Sequence, residues 1–374
     1  MGAAYTPGLK VTARAVVRKS RRLPLAGEVL VKVGDRVTAT QVVARTDLPG
    51  KVYPLNVANV LGVLPDEVPE AMRVRAGEVV KKDALLAETA SFFGIFKSDV
   101  RSPIDGTVES VSKVTGQVIL RARPVPVEVT AYVDGTVVEE LPNEGVIVET
   151  EAAYVQGIFG LAGEVHAPLR VVARAPDQEL DAAGIPDDVG GQIIVGGARL
   201  TLAALSRCVQ LRAAGVVCGG FAYQDITSLL GYDIGVAITG LERLATTLVI
   251  TEGFGKIAMA RATYELLASH AGRHASMNGA TQIRAGVIRP EIIIPRPALA
   301  GAAAHVAPAV LGMEVGAAVR CIRAPYFGRI GTIAALPPEL RAMPSETQVR
   351  VVDVDLGDER VILPRANVEL IEAA

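Results

Sequence analysis

The chain has 374 residues, half of them hydrophobic, 21% charged and 4% aromatic, with no tryptophan and a formal net charge of −2. That length exceeds one ordinary domain and supplies material for two or three cores. The near-neutral balance excludes a global electrostatic pull toward nucleic acid or an acidic membrane surface, and the wealth of Val, Ala and Gly favours β-rich and tight α/β packing over aromatic-lined pockets.

Residues 1–27 hold Lys10, Arg14, Arg18, Lys19, Arg21 and Arg22 and no acidic residue. Such a stretch reads either as a basic arm for an acidic partner or as a solvated first strand, with the strand preferred. The start is polar and then basic without an apolar core, so no signal peptide is expected. From about residue 10 to 175 the pattern is short Val-rich alternations between turn signals such as Gly34-Asp35, Ala76-Gly77, Asp105-Gly106 and Asp134-Gly135. One scheme recurs: Val31-x-x-Gly34-x-x-Val37 and Val74-x-x-Gly77-x-x-Val80 each lead into a strand, a hairpin and a Pro- and Gly-marked return to Val. A third echo begins at Ala131 in "AYVDGTVVEEL".

These motifs, and above all "VRSPIDGTVESV" from Val100, resemble the barrel-sandwich hybrid of biotinyl and lipoyl domains. Related forms occur in membrane-fusion adaptors and Rnf-type electron-transfer subunits. The resemblance implies a tight hairpin presenting one modified lysine. Here the hairpin carries Phe92, Phe93, Gly94, Ile95 and Phe96, with Lys97 off the tip. No biotinyl or lipoyl attachment is therefore expected, and no cofactor. Phe92, Phe93 and Phe96 either contact an unidentified protein partner or fold back on the barrel.

From about 186 to 296 strands and helices alternate. "GQIIVGG", "VVCGG", "ATTLVITEGFG" and "PEIIIP" read as strands. "TLAALSRCVQLRAAG", closed by Gly215, "YQDITSLLG" and "KIAMARATYELLASHAG" read as helices. This order implies a three-layer α/β unit with a mostly parallel sheet. The Ala-rich run from Pro297, interrupted by His305 and Pro308, is a linker and not a membrane span. Beyond it, "EVGAAVRCIRAPYFGRIGTIAAL" resembles the KOW motif of SH3-like barrels through Val315-Gly316, Val319, Cys321 and Gly328-x-x-Gly331-x-Ile333. The strands "TQVRVVDVDL" and "ERVILPRANVELIE" would close that barrel.

Nearly the whole chain resembles a bacterial family that combines a barrel-sandwich hybrid N-terminal region with a C-terminal KOW domain, most clearly in "SFFGIFKSDVRSPIDGTVESV", "LLGYDIGVAITG", "TEGFGKIAM" and "NGATQIRAGVIRPEIIIP". The resemblance implies an architecture and no activity, so no residue role follows from it. The expected fold class is multidomain α+β: a β-rich barrel-sandwich unit over 1–175, the α/β unit over 186–296 and the SH3-like barrel over 313–374.

Candidate chemistry is thin. Gly196-Gly197 and Gly219-Gly220 each follow a strand and precede a helix, where backbone amides suit an anion, although glycine at such turns is also routine structure. Thr251, Glu252 and Gly253 stand at a strand's end, and Asp233, Asn278, Thr281, Gln282 and Arg284 add polar groups to an apolar region. Together they suggest a small pocket for an anionic ligand, weighed against loops that satisfy their own backbone. His270 and His274 have i, i+4 spacing, but Gly272 intervenes and no further ligand follows, so a solvated helix end is preferred to a metal site. Cys208, Cys218 and Cys321 show no metal spacing, and their odd number argues against a disulfide framework and for reduced thiols in a cytoplasmic protein. No catalytic triad, nucleophile elbow or carboxylate pair is apparent.

The leading expectation is a non-catalytic scaffold or adaptor subunit of a cytoplasmic complex, its central unit binding a small anionic ligand. One rival is a nucleic-acid, ribosome or transcription factor acting through the KOW barrel. Against it, Met313–Glu372 holds seven arginines and nine acidic residues, although Arg320, Arg323 and Arg329 would share one basic edge in that reading. The other rival is an enzyme built on Thr251, Glu252, Asn278 and Arg284.

Overall fold

The structure is a computed structural model and describes residues 9–89, 98–231, 240, 242, 244–282, 288–296, 313–321, 323, 325–326, 329–342 and 348–370. The chain is β-rich. Its largest sheet has eleven strands and joins the N-terminal and central segments without a break.

The recurring Val-x-x-Gly-x-x-Val scheme corresponds to two copies of one β unit. Gly34 and Gly77 both turn the chain at positive φ, 95° and 93°, a region that suits glycine. Their amides donate to Val137 and Val108 at 2.8 and 2.7 Å, and the amides of Val137 and Val108 donate back to Asp35 and Glu78, both at 2.9 Å. Asp134 and Asp105 then accept from the amides of Ala39 and Lys82 at 2.7 and 2.8 Å. The third echo, Asp134-Gly135-Thr136-Val137, is thus the return strand of the first copy, while Asp105-Gly106-Thr107-Val108 serves the second. Strands Val42–Leu48 and Val125–Thr130 pair in the first copy as Leu85–Glu88 and Asp99–Arg101 pair in the second. The second copy is therefore inserted where the first would have its hairpin tip. Its own tip, with Phe92, Phe93, Phe96 and Lys97, lies outside the described residues. Each copy has its own core, one around Val43, Val133 and Val148 and one around Leu86, Val108 and Leu120.

Strand Val11–Arg22 pairs antiparallel with Gly145–Gln156 on the large sheet. In the central region, Glu164–Val171, Ile193–Val195, Gly215–Phe221 and Thr247–Phe254 are successive parallel neighbours. Alternate side chains feed two cores. Ile194, Val216, Cys218 and Ile250 face the core that includes Leu205, Cys208 and Ile226 of helices Leu202–Gln210 and Tyr223–Leu230. Ile193, Val195, Val217 and Val249 face Leu267 of helix Arg261–Ser269.

The expected mostly parallel layer is not shown: among the described residues, parallel strand pairing is confined to these four strands, and the other ladders of the large sheet, including His274–Asn278 and Glu291–Pro295, are antiparallel. His274–Asn278, sequence "HASMN", has no β-branched residue, so its composition does not announce a strand. The first helix also ends earlier than expected, at Gln210, because Arg212 takes a left-handed φ of 57° and turns the chain before Gly215 opens the next strand.

The C-terminal segment forms a separate six-stranded sheet, antiparallel throughout, over a core of Val319, Ile333, Val352, Val354 and Val368. Among the described residues no helix is long and apolar enough to cross a membrane.

Candidate functional site

The sequence-read glycines and Thr251–Gly253 do assemble, side by side at the carboxyl ends of three parallel strands. Gly219 donates to the Gly197 carbonyl at 2.8 Å, and Gly220 pairs with Gly253. That edge is covered by the chain itself. A Cβ on Gly197 would lie 2.5 Å from the Gln178 carbonyl oxygen, on Gly219 2.5 Å from that of Ile257, and on Gly220 2.2 Å from that of Gly255. The glycines let loops 174–180 and 255–260 lie against the strand ends.

Glu252 is equally committed. Its Oε1 accepts from the Ala260 amide at 3.0 Å and its Oε2 from Arg320 Nη2 at 2.8 Å. Arg320 comes from the C-terminal sheet, is 2% exposed, and also donates to the backbone carbonyls of Glu252 and Thr251 at 2.7 and 3.1 Å. On its other side it meets Glu369 at 3.2 Å, its direct cross-strand neighbour, which Arg289 also holds. Two arginines and two carboxylates thus form a hydrogen-bonded cluster between the C-terminal sheet and the carboxyl edge of the parallel strands. Thr251 Oγ1 donates to the Cys218 carbonyl at 3.3 Å.

Asn278 is not part of this edge. It pairs with Glu164 at the amino end of the parallel block, and its Oδ1 accepts from the Ala280 amide at 2.9 Å. Thr281 Oγ1 there accepts from the Gly160 amide at 2.9 Å. Asp233 and Arg284 lie outside the described residues.

The other sequence candidates fall into place around these cores. The basic strand is matched in charge: Arg14 pairs with Glu151, Arg18 with Glu149, Lys19 with Glu291, Arg21 with Glu164 and Arg22 with Glu144. Arg329 of the C-terminal sheet is held by Asp358 and Glu359, and Arg320 is buried, so these two do not form an exposed basic edge. All three cysteines are buried and free, and burial pushes their thiols up to about 11 for Cys208, 12 for Cys218 and 11 for Cys321. They are neutral thiols near pH 7. No group of three or more His, Cys, Asp or Glu suited to a metal occurs among the described residues.

A cleft of about 590 Å³ that no sequence motif announces lies on the large sheet, where the first β unit meets strands from the central region. Arg36, Thr38, Asp134 and Thr136 of the first β unit line it together with Glu149, Glu151, Arg273, His274 and Arg296. His274, read as a helix end, opens a strand instead and stacks on His166 with ring centroids 5.3 Å apart. Burial pushes the His166 imidazole below its ordinary value; Asp134 opposes this and His274 adds to it. Comparison of the chain with family models, with curated proteins and with solved structures returned no match.

Proposed function

We propose that the chain is a non-catalytic scaffold or adaptor subunit of a cytoplasmic complex. The observation that carries this reading is the Arg320 cluster. Open sheets collect ligands at the carboxyl ends of parallel strands, and here that edge is filled by the chain's own arginine and its own loops. The same cluster ties the C-terminal sheet, proposed to be an SH3-like KOW barrel, to the sheet that runs into the duplicated β units, proposed to be barrel-sandwich hybrids. The buried neutral cysteines suit a reducing compartment. The nucleic-acid alternative loses support, because binding phosphates requires clustered cations free to displace counterions, and the basic strand spends its charges on carboxylates.

Partner contact is assigned to Phe92, Phe93 and Phe96 at the tip of the second β unit. The test is chemical cross-linking of the full chain at native abundance, with and without the triple substitution to serine. The expected result is a stoichiometric partner that the variant loses while its melting temperature stays unchanged. A chain that remains free of partners, or a variant that keeps them, overturns the proposal.

A further inference from the structure

In the cleft above Glu149 and Glu151 the carboxylates are engaged and two arginines are not paired with one among the described residues. Its wall carries three carboxylates, Asp134, Glu149 and Glu151. Each is engaged: Glu149 by Arg18 at 2.6 Å, Glu151 by Arg14 at 2.7 Å, and Asp134 Oδ1 by the Ala39 amide at 2.7 Å. Arg296 also reaches Glu151, at 4.0 Å. Arg36 and Arg273 have no carboxylate partner among the described residues. Arg273 donates to the Pro295 carbonyl, which anchors its guanidinium at the wall while leaving its charge uncompensated. The lining itself holds three arginines and three carboxylates, but Glu149 and Glu151 are held from outside it by Arg18 and Arg14, so Arg36 and Arg273 are left facing the cleft without a carboxylate partner among the described residues.

The duplicated unit offers an internal comparison. The second copy has Val79, 72% exposed, where the first has Arg36, and Thr107 and Asp105 where the first has Thr136 and Asp134. The arginine therefore stands only in the copy whose turn faces the cleft. The histidines add a second feature. Ser276 donates its single hydroxyl proton to the Tyr132 carbonyl, so its Oγ accepts from His166 Nδ1, 3.1 Å away. His166 is thus fixed as the Nδ1–H tautomer and lies against the His274 ring that lines the cleft.

We propose that this cleft binds a small organic anion, with its carboxylate or phosphate group held by Arg36 and Arg273 beside His274. The inference rests on the anionic-ligand part of the adaptor reading and moves that ligand from the central glycine turns to the cleft. The guanidinium fork matches both oxyanions, the volume suits a metabolite-sized ligand, and Val37, Thr38, Thr136 and Pro295 supply the less polar lining for its body.

Histidine ring NMR reads this directly, because the chain has four histidines and, among the described residues, His274 lines the cleft and His166 stacks on it. The full-length protein is titrated with inorganic phosphate, succinate and AMP at constant ionic strength. The expected result is saturable movement of the His274 resonance at or below about 1 mM of at least one probe, with His270 unmoved. Response to phosphate and AMP alone assigns a phosphate ligand, response to succinate alone a carboxylate, and response to all three a general oxyanion site. Arg36 is exposed and unpartnered among the described residues, so Arg36→Gln leaves the melting temperature unchanged and weakens binding threefold or more, and Arg36→Lys restores part of it. The proposal is overturned if no probe moves His274 saturably, or if Arg36→Gln binds within threefold of the parent. Loss of this response leaves the partner cross-link intact, so the two readings fail separately.

Discussion

Arg320 and His166 show how single polar side chains inside this protein are fixed by neighbours far away in sequence. Thr251 and Glu252 were legible as a polar strand end, but nothing near them in sequence announces the arginine 68 residues later that occupies them. A signal existed: Arg320 stands between Val319 and Cys321, and Glu369 between Val368 and Leu370, so opposite charges sit inside two apolar triplets. Cross-strand pairing of those triplets is what sequence alone could not establish. His166 yields a pH dependence. Its folded imidazole holds a proton less tightly than the unfolded one, whose ordinary value is 6.5. Unfolding therefore takes up protons, and the stability His166 contributes is complete above 6.5 and is lost as pH falls through the lower folded value. The groups facing it are Asp134, which opposes the shift, and His274, which enlarges it. Melting of the parent should fall more steeply between about pH 7 and pH 5 than melting of His166→Asn. Parallel curves for the two proteins would remove His166 as the source.

At the scale of elements, the duplicated turns were readable because glycine at positive φ and buried valines leave a fixed spacing. The swap between halves was not, since Gly34 pairs with Val137 across an inserted copy. The carboxyl-edge glycines carry the opposite lesson. A strand–Gly-Gly–helix pattern suits an anion cradle and a close backbone approach equally well, and only the third dimension decides between them. The two roles predict different mutants. Gly220→Ala would place a Cβ 2.2 Å from the Gly255 carbonyl oxygen, whereas the nearest atom to a Cβ on Gly196 is 3.3 Å away. Overpacking against backbone costs about 1–3 kcal/mol or more. Gly220→Ala should therefore lower the urea midpoint well beyond Gly196→Ala. Two variants that unfold together, with altered ligand response only, would instead favour the cradle.

For the molecule as a whole, the Arg320 cluster decides whether the C-terminal sheet behaves as part of one body. A buried ion pair often adds little net stability, but removing one member leaves the other charge buried and uncompensated, at about 3–5 kcal/mol. In Arg320→Met, Glu369 keeps Arg289, whereas among the described residues Glu252 keeps only the Ala260 amide. The strain thus falls on the contact between the two sheets. The C-terminal core of Val319, Ile333, Val352 and Val354 is complete within its own sheet, so the variant should separate this unit and leave it folded. Urea unfolding of the full chain should then lose cooperativity, and small-angle scattering should show a larger radius of gyration. Glu252→Gln removes the stranded charge, so Arg320→Met with Glu252→Gln should be less destabilised than the sum of the single substitutions, as coupled neighbours require. Strict additivity, or an unchanged radius of gyration in Arg320→Met, would mean that other contacts hold the C-terminal sheet in place and that the cluster fills the strand ends without fastening the scaffold.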